Sequence, residues 1–438
     1  MTLKDQQQRE ARYLMSTYGR KPVEFVRGQG MELFDSEGRR YLDFLAGIGA
    51  VSVGHCHPAV SSALASQVQT LLHVGNYFYV PGRGELAQRL DGLLSGASAA
   101  DTAVACAAPA TAAPAPASTA DAADTSAAPA TASAPARWRT FFANSGTEAV
   151  EGAIKIARKH GRQNLNGAYT ILTAQRSFHG RTMGALAATG QSVKQDSFTP
   201  MPQGFKHLPF NDLFALTEAL EDTTAPACAV LLECIQGEGG VWPHSPEYLQ
   251  AVRAETEKRG LALLIDEVQT GFFRTGKTAF AFVDYGIVPD VVTLAKGLGN
   301  GMPIGAVCAR GNFGELLEPG EHGSTFGGSP LAIAAANATL DVLCSGSLPD
   351  AVEETGAYLR ERLATLPQIK ELRGKGLMIG ADLDAPQAPS VVDAALEAGF
   401  VLNATGPQTL RFLPPLICEK SHVDELITAL DPILKGLK

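Results

Sequence analysis

The stretches Leu261-Ala262-Leu263-Leu264-Ile265-Asp266 and Val291-Val292-Thr293-Leu294-Ala295-Lys296 decide how this chain folds. Each is a short apolar run that ends on a charged side chain. Runs of this length and composition read as strands buried on both faces, because helices need roughly ten residues or more. Tyr169–Leu172 and Ala229–Leu232 have the same character. Helical patterns lie around and between them: Glu85–Leu94, Ala149–His160 with Gly161 as its expected stop, and Glu247–Arg259. Alternation of this kind predicts an α/β fold on a mainly parallel sheet. From about Gly314 the pattern changes. Helices over Leu331–Leu343 and Ala351–Leu366, the second closed by Pro367, precede short strands near Leu377–Leu383 and Thr409–Phe412. That reads as a smaller α+β domain over 314–438, against a large domain over 61–313. Residues 1–60, with strand-like Val23–Arg27 and Glu32–Asp35, are expected to pack with the small domain.

The 438 residues are 45% hydrophobic, enough for a sizeable core, and the net charge of −9 argues against a nucleic-acid binder. The start, MTLKDQQQREARYL, has no apolar h-region, and no apolar run approaches a membrane span. A cytoplasmic protein is expected. The seven cysteines show no regular spacing, which favours reduced thiols. Ser95–Ala136 is almost entirely Ala, Pro, Thr, Ser and Asp, with Val104 its one branched aliphatic residue. Such a stretch buries too little apolar surface to offset its ordering entropy. It reads as a disordered insertion, with a frayed Ala helix as the alternative.

In open α/β sheets ligands bind beyond the carboxyl ends of the strands. Four runs deliver polar groups to that edge: Asp266, Lys296, the acids Glu233 and Glu238, and the loop Ser177-Phe178-His179-Gly180-Arg181. Lys296 alone could be a lysine snorkelling to the surface. Placed after an apolar strand and before Gly297-Leu298-Gly299-Asn300-Gly301, it is expected to be partly desolvated. Desolvation favours the neutral amine that forms a Schiff base. Asp266 is a turn cap or the partner of a ring nitrogen. Ser145 and Glu148 match a capping box, and the helix start they cap exposes amides suited to a phosphate. Phe178 is core or a stacking platform. Arg181 and Arg411 are surface ion pairs or carboxylate clamps. His55-Cys56-His57 lacks further ligands, so no metal is expected.

One motif competes. Gly271–Thr278 satisfies GxxxxGK[ST], the phosphate loop of nucleotide hydrolases. That loop must follow a strand directly and open a helix. Here residues 266–270 intervene and two phenylalanines crowd it. A hydrolase through this loop is the remote alternative.

The segments FFANSGTEAVEGAIKIARK, SFHGRT, ECIQGEGG, LLIDEVQTGFFRTGK, TLAKGLGNGMPIGA, HGSTFGGSPLA, RGKGLMIG and LRFLPPL, in this order, resemble class III, fold-type I aminotransferases, above all the acetylornithine group. The resemblance covers nearly the whole chain except the insertion. It implies a homodimer that uses pyridoxal 5'-phosphate, with the site at the subunit interface. Lys296 would hold the cofactor and shuttle the proton. Asp266 would pair with the ring nitrogen, Gln269 would lie near the ring hydroxyl, and Phe178 and Val268 would cover the two ring faces. Ser145, Gly146 and Thr147 would hold the phosphate, with Thr325 from the partner subunit. Arg181 would bind the substrate's distal carboxylate and Arg411 the α-carboxylate of glutamate, with Glu238 covering Arg411 in turn. Tyr18, Ile48 and Ser324 would face the substrate. The implied reaction is transfer from N-acetylornithine to 2-oxoglutarate in arginine biosynthesis. Succinylornithine, succinyldiaminopimelate, ornithine and 4-aminobutyrate are the alternative donors. Cys234, Phe273, Asn300 and Ser329 depart from the family's usual Pro, Gly, Gly and Asn.

Overall fold

The structure is a computed structural model that describes residues 2–96, 105–106 and 137–436. The expected insertion, apart from its first two residues and Ala105-Cys106, lies outside the described residues.

Seven strands form the main sheet, in the order Trp138–Ala143, Gly305–Arg310, Val291–Leu294, Ala262–Asp266, Ala227–Leu232, Thr170–Ala174, Phe205–Leu208. The four anticipated runs are its centre, and their pairings are parallel. Gly305–Arg310 is antiparallel to both of its neighbours. After Val291–Leu294 the chain turns within a short Gly-rich loop, and so short a return permits only an antiparallel neighbour. Both faces are apolar, as the continuous runs require. Leu263 and Ile265 point into one cluster, Ala262 and Leu264 into the other. Each fully buried Leu or Ile contributes roughly 1.5–3 kcal/mol.

Over the second cluster lies the helix Gly146–Asn164. Its stripe Val150, Ala153, Ile154 and Ala157 follows the helical repeat and packs on Ile171, Ala229, Leu264 and Val307. Gly161 does not stop this helix but lies inside it. A Cβ there would collide with the Ala168 carbonyl and the Cys228 side chain, so glycine serves a close approach.

A second sheet carries Ile369–Lys375, Met378–Leu383, Thr409–Phe412 and Asn403–Ala404. The N-terminal strands Phe25–Gln29, Glu32–Asp35 and Arg40–Asp43 form a third, completed by Phe400–Val401. The first residues thus join the C-terminal part through backbone pairing. Among the described residues no single helix is long and apolar enough to cross a membrane.

The expectation of reduced thiols throughout is corrected. Cys106 and Cys344 form a disulfide with Cα atoms 4.9 Å apart, across a separation of 238 residues that no spacing rule detects. The hydrolase alternative is also corrected. Gly271–Thr278 does not open a helix, only the four-residue Ala281–Asp284 coming three residues later, Lys277 sits at the surface against Asp350 at 3.0 Å, and Arg274 is buried against the Leu377 and Pro414 carbonyls.

Most departures from the family pattern have local explanations. Phe273, in left-handed backbone at φ 65°, accepts strain that glycine avoids and buries its whole ring. Asn300, at φ 46°, bridges the Val53 amide and the Gly54 carbonyl. Ser329 N-caps the helix Pro330–Leu343, a role Asn fills equally well. Nothing in the structure explains Cys234.

Candidate active site

Register places the two deciding charges side by side. Asp266 stands opposite Thr293 on the adjacent parallel strand, and Lys296 follows where that strand ends. Beyond this edge opens a cavity of 390 Å³. Its wall includes Ser145, Gly146 and Thr147 from the helix start, Phe178 and Arg181 from their loop, and Glu233, Glu238, Asp266, Val268, Gln269 and Lys296.

Lys296 sits in left-handed backbone at φ 38°, which turns the chain sharply out of its strand. The side chain retains some accessible surface, and the cavity it lines is where that surface lies. Burial lowers its pKa to about 8 from 10.5, helped by Arg411 and opposed by Glu238, Asp266 and Glu233. At neutral pH roughly a tenth of such amines are uncharged, against well under a thousandth for an ordinary lysine.

Asp266 is held from three directions. His179 Nδ1 lies 2.9 Å from Oδ2, while the Thr293 hydroxyl and the Val268 amide donate to Oδ1 at 3.0 and 3.1 Å. His179 is buried, and its Nε2 has no partner among the described residues. Glu233 accepts from the Phe178 and Gly237 amides at 3.0 and 3.1 Å. Its pKa rises to about 7, through burial first, with His179 opposing and Asp266 adding.

At the helix start the Ser145 hydroxyl accepts from the Glu148 amide at 3.3 Å. Glu148 reaches back to the Asn144 amide at 2.6 Å, so the capping reading holds with Asn144 as its second partner. A Cβ at Gly146 would meet Val268 Cγ1 at 2.7 Å, so glycine permits the close approach of the helix start to Val268. The Thr147 hydroxyl accepts from the Arg181 and Thr182 amides at 3.2 and 3.3 Å, and so ties the helix start to the Phe178 loop.

Arg411 is almost wholly buried, 2.5 Å from Glu238 Oε1, and donates twice to Asn403 Oδ1 at 2.8 and 3.1 Å. Gln269 Oε1 is 3.4 Å from the same guanidinium. Burial alone would raise the Glu238 carboxyl. Arg411, with Lys296 and Lys194, overrides that and holds it below the usual value.

Arg411 joins this cavity only through Glu238 and Gln269, and four further expected residues stand apart from it. Tyr18 is 76% exposed and lines a groove beside the N-terminal helix. Ile48, in left-handed backbone at φ 64°, is outside the cavity wall, where Ala50 appears instead. Ser324 accepts from Asn144 Nδ2 at 3.1 Å without lining the cavity, and Thr325 is exposed. His179 and Thr293, which hold Asp266, are not signalled by the sequence. A histidine inside SFHGRT and a threonine inside an apolar strand carry no signal until register brings them to Asp266. His55 pairs with Asp43 at 2.8 Å, and His57 accepts from the Ala59 amide at the start of a helix.

The arrangement suits a flat, phosphorylated ring. Phe178 and Val268 offer two apolar faces, a carboxylate and an amine face its polar positions, and amides at a helix start meet a phosphate.

The family model for class-III aminotransferases matches residues 14–120 and 111–434. An acetylornithine aminotransferase of Caldanaerobacter subterraneus subsp. tengcongensis is 42% identical over 434 residues, 98% of this chain and 99% of that protein. The crystal structure of an acetylornithine aminotransferase from Elizabethkingia anophelis superposes with a TM-score of 0.80 at 30% identity, covering 99% of each chain. An ornithine aminotransferase from Toxoplasma gondii, described with partial occupancy of PLP at its active site, superposes at 0.85 and 30% identity, covering 100% of this chain and 95% of that one.

Proposed function

The chain belongs to the class-III aminotransferases, and we propose from that premise that it moves the δ-amino group of N-acetylornithine to 2-oxoglutarate. The products are N-acetylglutamate 5-semialdehyde and glutamate, a step in arginine biosynthesis. The observation that carries the reading is the placing of a largely desolvated amine, Lys296, and a clamped carboxylate, Asp266, on the wall of one cavity whose wall also carries Glu238, the partner of Arg411.

When bound, pyridoxal 5'-phosphate supplies an electron sink that lets an amino group leave one substrate and join another. The chain's own groups do the rest. Lys296 would hold the cofactor, and its Nζ would take and return the proton. Asp266, kept in place by His179 and Thr293, holds the ring nitrogen protonated. Phe178 and Val268 keep water from the ring faces. Ser145, Gly146 and Thr147 offer the amides for the phosphate, and Gln269 serves the ring hydroxyl.

Arg181 takes the distal carboxylate of either substrate. Glu238 neutralises Arg411 while the acylated donor is bound and swings aside to free it for the α-carboxylate of 2-oxoglutarate. One cavity thereby serves two unlike partners.

The reading includes a homodimer working in the cytoplasm. Tyr77 and Tyr79 are 97% and 105% exposed, and Phe78 and Phe326 are also exposed. Asn76 ties the first group to the Ser324 and Gly327 carbonyls at 2.7 and 3.1 Å. Such an aromatic patch is what a partner surface covers. A second copy here would put Thr325 beside the partner's phosphate, and would offer Ser324, Tyr18 and Ile48 a place near a substrate.

A donor panel with 2-oxoglutarate tests the substrate. N-acetylornithine should outperform ornithine and 4-aminobutyrate; equal rates would remove the specificity claim. A visible absorbance band of the bound cofactor that Lys296→Ala abolishes tests the chemistry. Its absence from cofactor-supplied wild-type protein would end the reading.

A further inference from the structure

Lys194 has no part in the roles above, yet the fold fixes it beside the cavity. Its short turn, Ser192–Lys194, is bound to the loop that carries Phe178 and Arg181. Gln191 Nε2 donates to the Arg176 and Ser177 carbonyls at 3.2 and 3.1 Å, and the Lys194 amide closes the turn on the Gln191 carbonyl at 3.0 Å. On the far side Gln195 Nε2 donates to the Leu186 and Thr189 carbonyls at 2.9 and 2.7 Å.

Lys194 Nζ lies 5.7 Å from the centre of the Phe178 ring, and the Arg181 guanidinium carbon lies 5.6 Å from the same ring. Phe178, Arg181 and Glu238 line the cavity. Among the described residues neither cation has a carboxylate within ion-pairing distance of 4.0 Å. Arg181 on the wall and Lys194 beside the Phe178 ring therefore bring two positive charges to this side of the cavity. Burial and then Arg181 depress the Lys194 amine, against Glu238, which places its charge within the field of the cavity.

We propose that Lys194 is a specificity-determining residue that makes the cavity refuse a donor with a free α-ammonium and accept one whose α-nitrogen is acylated. This rests on the N-acylornithine reading above. Both donors present the same α-carboxylate to Arg181. In ornithine that carboxylate comes with an adjacent ammonium, which meets two cations in a low-dielectric pocket. Acylation removes the charge and supplies an amide carbonyl that accepts a hydrogen bond from Nζ. An acyl group ending in a carboxylate, as in N-succinylornithine, gains an ion pair as well. Like charges some 6–8 Å apart at an effective dielectric near 20 discriminate by roughly ten- to a hundredfold.

The test compares wild type, Lys194→Met and Lys194→Arg as cofactor-loaded enzymes. Donor half-reactions with N-acetylornithine, N-succinylornithine and ornithine are followed without 2-oxoglutarate, and apparent KM and rate are separated. In Lys194→Met the preference for acetylornithine over ornithine should fall roughly ten- to a hundredfold, chiefly through a lower KM for ornithine. N-succinylornithine should lose more than N-acetylornithine. Lys194→Arg should keep the wild-type preference. An unchanged ratio in Lys194→Met, or an equal loss on all donors, overturns the inference while wild-type preference for acetylornithine leaves the function standing. A wild type without that preference overturns the function and this inference with it.

Discussion

Replacing Lys296 by Met should make the cofactor-free protein more stable at neutral pH while destroying its activity. The lysine's pKa falls from 10.5 to about 8 on folding, with burial as the main cause. Between those two values the folded state binds fewer protons than the unfolded chain, so stability rises with pH across that window. Below about pH 8 both states are protonated and the full penalty stands. At about 1.4 kcal/mol per pH unit, the penalty at pH 7 is about 3 kcal/mol. The attraction of Glu238, Asp266 and Glu233 is already contained in that net displacement. Met keeps the length of the side chain and needs no solvation of a charge. The variant should therefore gain about 2–3 kcal/mol at pH 7, shrinking to about 1 kcal/mol at pH 9.5. Urea unfolding of both cofactor-free proteins at the two pH values measures this, with equal m-values as the check that the unfolded states match. Cofactor must be absent, because its attachment to Lys296 stabilises the wild type alone. A variant no more stable than wild type at pH 7, or a gain that does not shrink by pH 9.5, would refute the claim that Lys296 is a desolvated amine.

Other substitutions probe the remaining walls. Asp266→Asn removes the partner of His179 Nδ1 as well as the charge for the ring nitrogen. It should lower kcat roughly a hundred- to a thousandfold and shift the absorbance of the bound cofactor; wild-type spectra would remove the ring role. Arg411→Lys loses the fork that reaches Glu238 and Asn403 together. It should raise KM for 2-oxoglutarate roughly ten- to a hundredfold and leave KM for N-acetylornithine nearly unchanged. Equal effects on both substrates would contradict the switch. Gly146→Ala drives a methyl into Val268. Equilibrium dialysis should show cofactor affinity weakened by about 1–3 kcal/mol, and unaltered affinity would place the phosphate elsewhere.

How much of this was legible in the chain depends on the distance over which the signal acts. Leu261–Asp266 and Val291–Lys296 could be read because a doubly buried strand must be apolar throughout, and a charge at its end then stands out. The parallel pairing of Leu264 with Val291 follows from the same pattern, and so does the convergence of Asp266 and Lys296 on one edge. The antiparallel strand Gly305–Arg310 was missed because small residues interrupt its apolar run, and because it is specified by the tightness of the preceding turn rather than by its own composition. His179 illustrates a second limit. Its neighbours in sequence say nothing of Asp266, which only the sheet brings within 2.9 Å. The disulfide Cys106–Cys344 illustrates the extreme, with partners 238 residues apart. Tyr18, Ile48 and Thr325 are of a different kind. They were placed by resemblance to enzymes whose sites are completed by a second subunit, and in one chain they lie outside the cavity or fully in view of solvent. Lys194 was passed over for the opposite reason. It sits in a polar turn that reads as surface, and it acquires meaning through Gln191, which pins that turn against the Phe178 loop, and Gln195, which holds its far side to the Leu186 and Thr189 carbonyls. Asp266 and Lys296, proposed to act on the cofactor, were visible at or just beyond strand ends. Arg181 and Lys194, proposed to act on the substrate, sit on a loop and a short turn, where local composition carries no record of what they face.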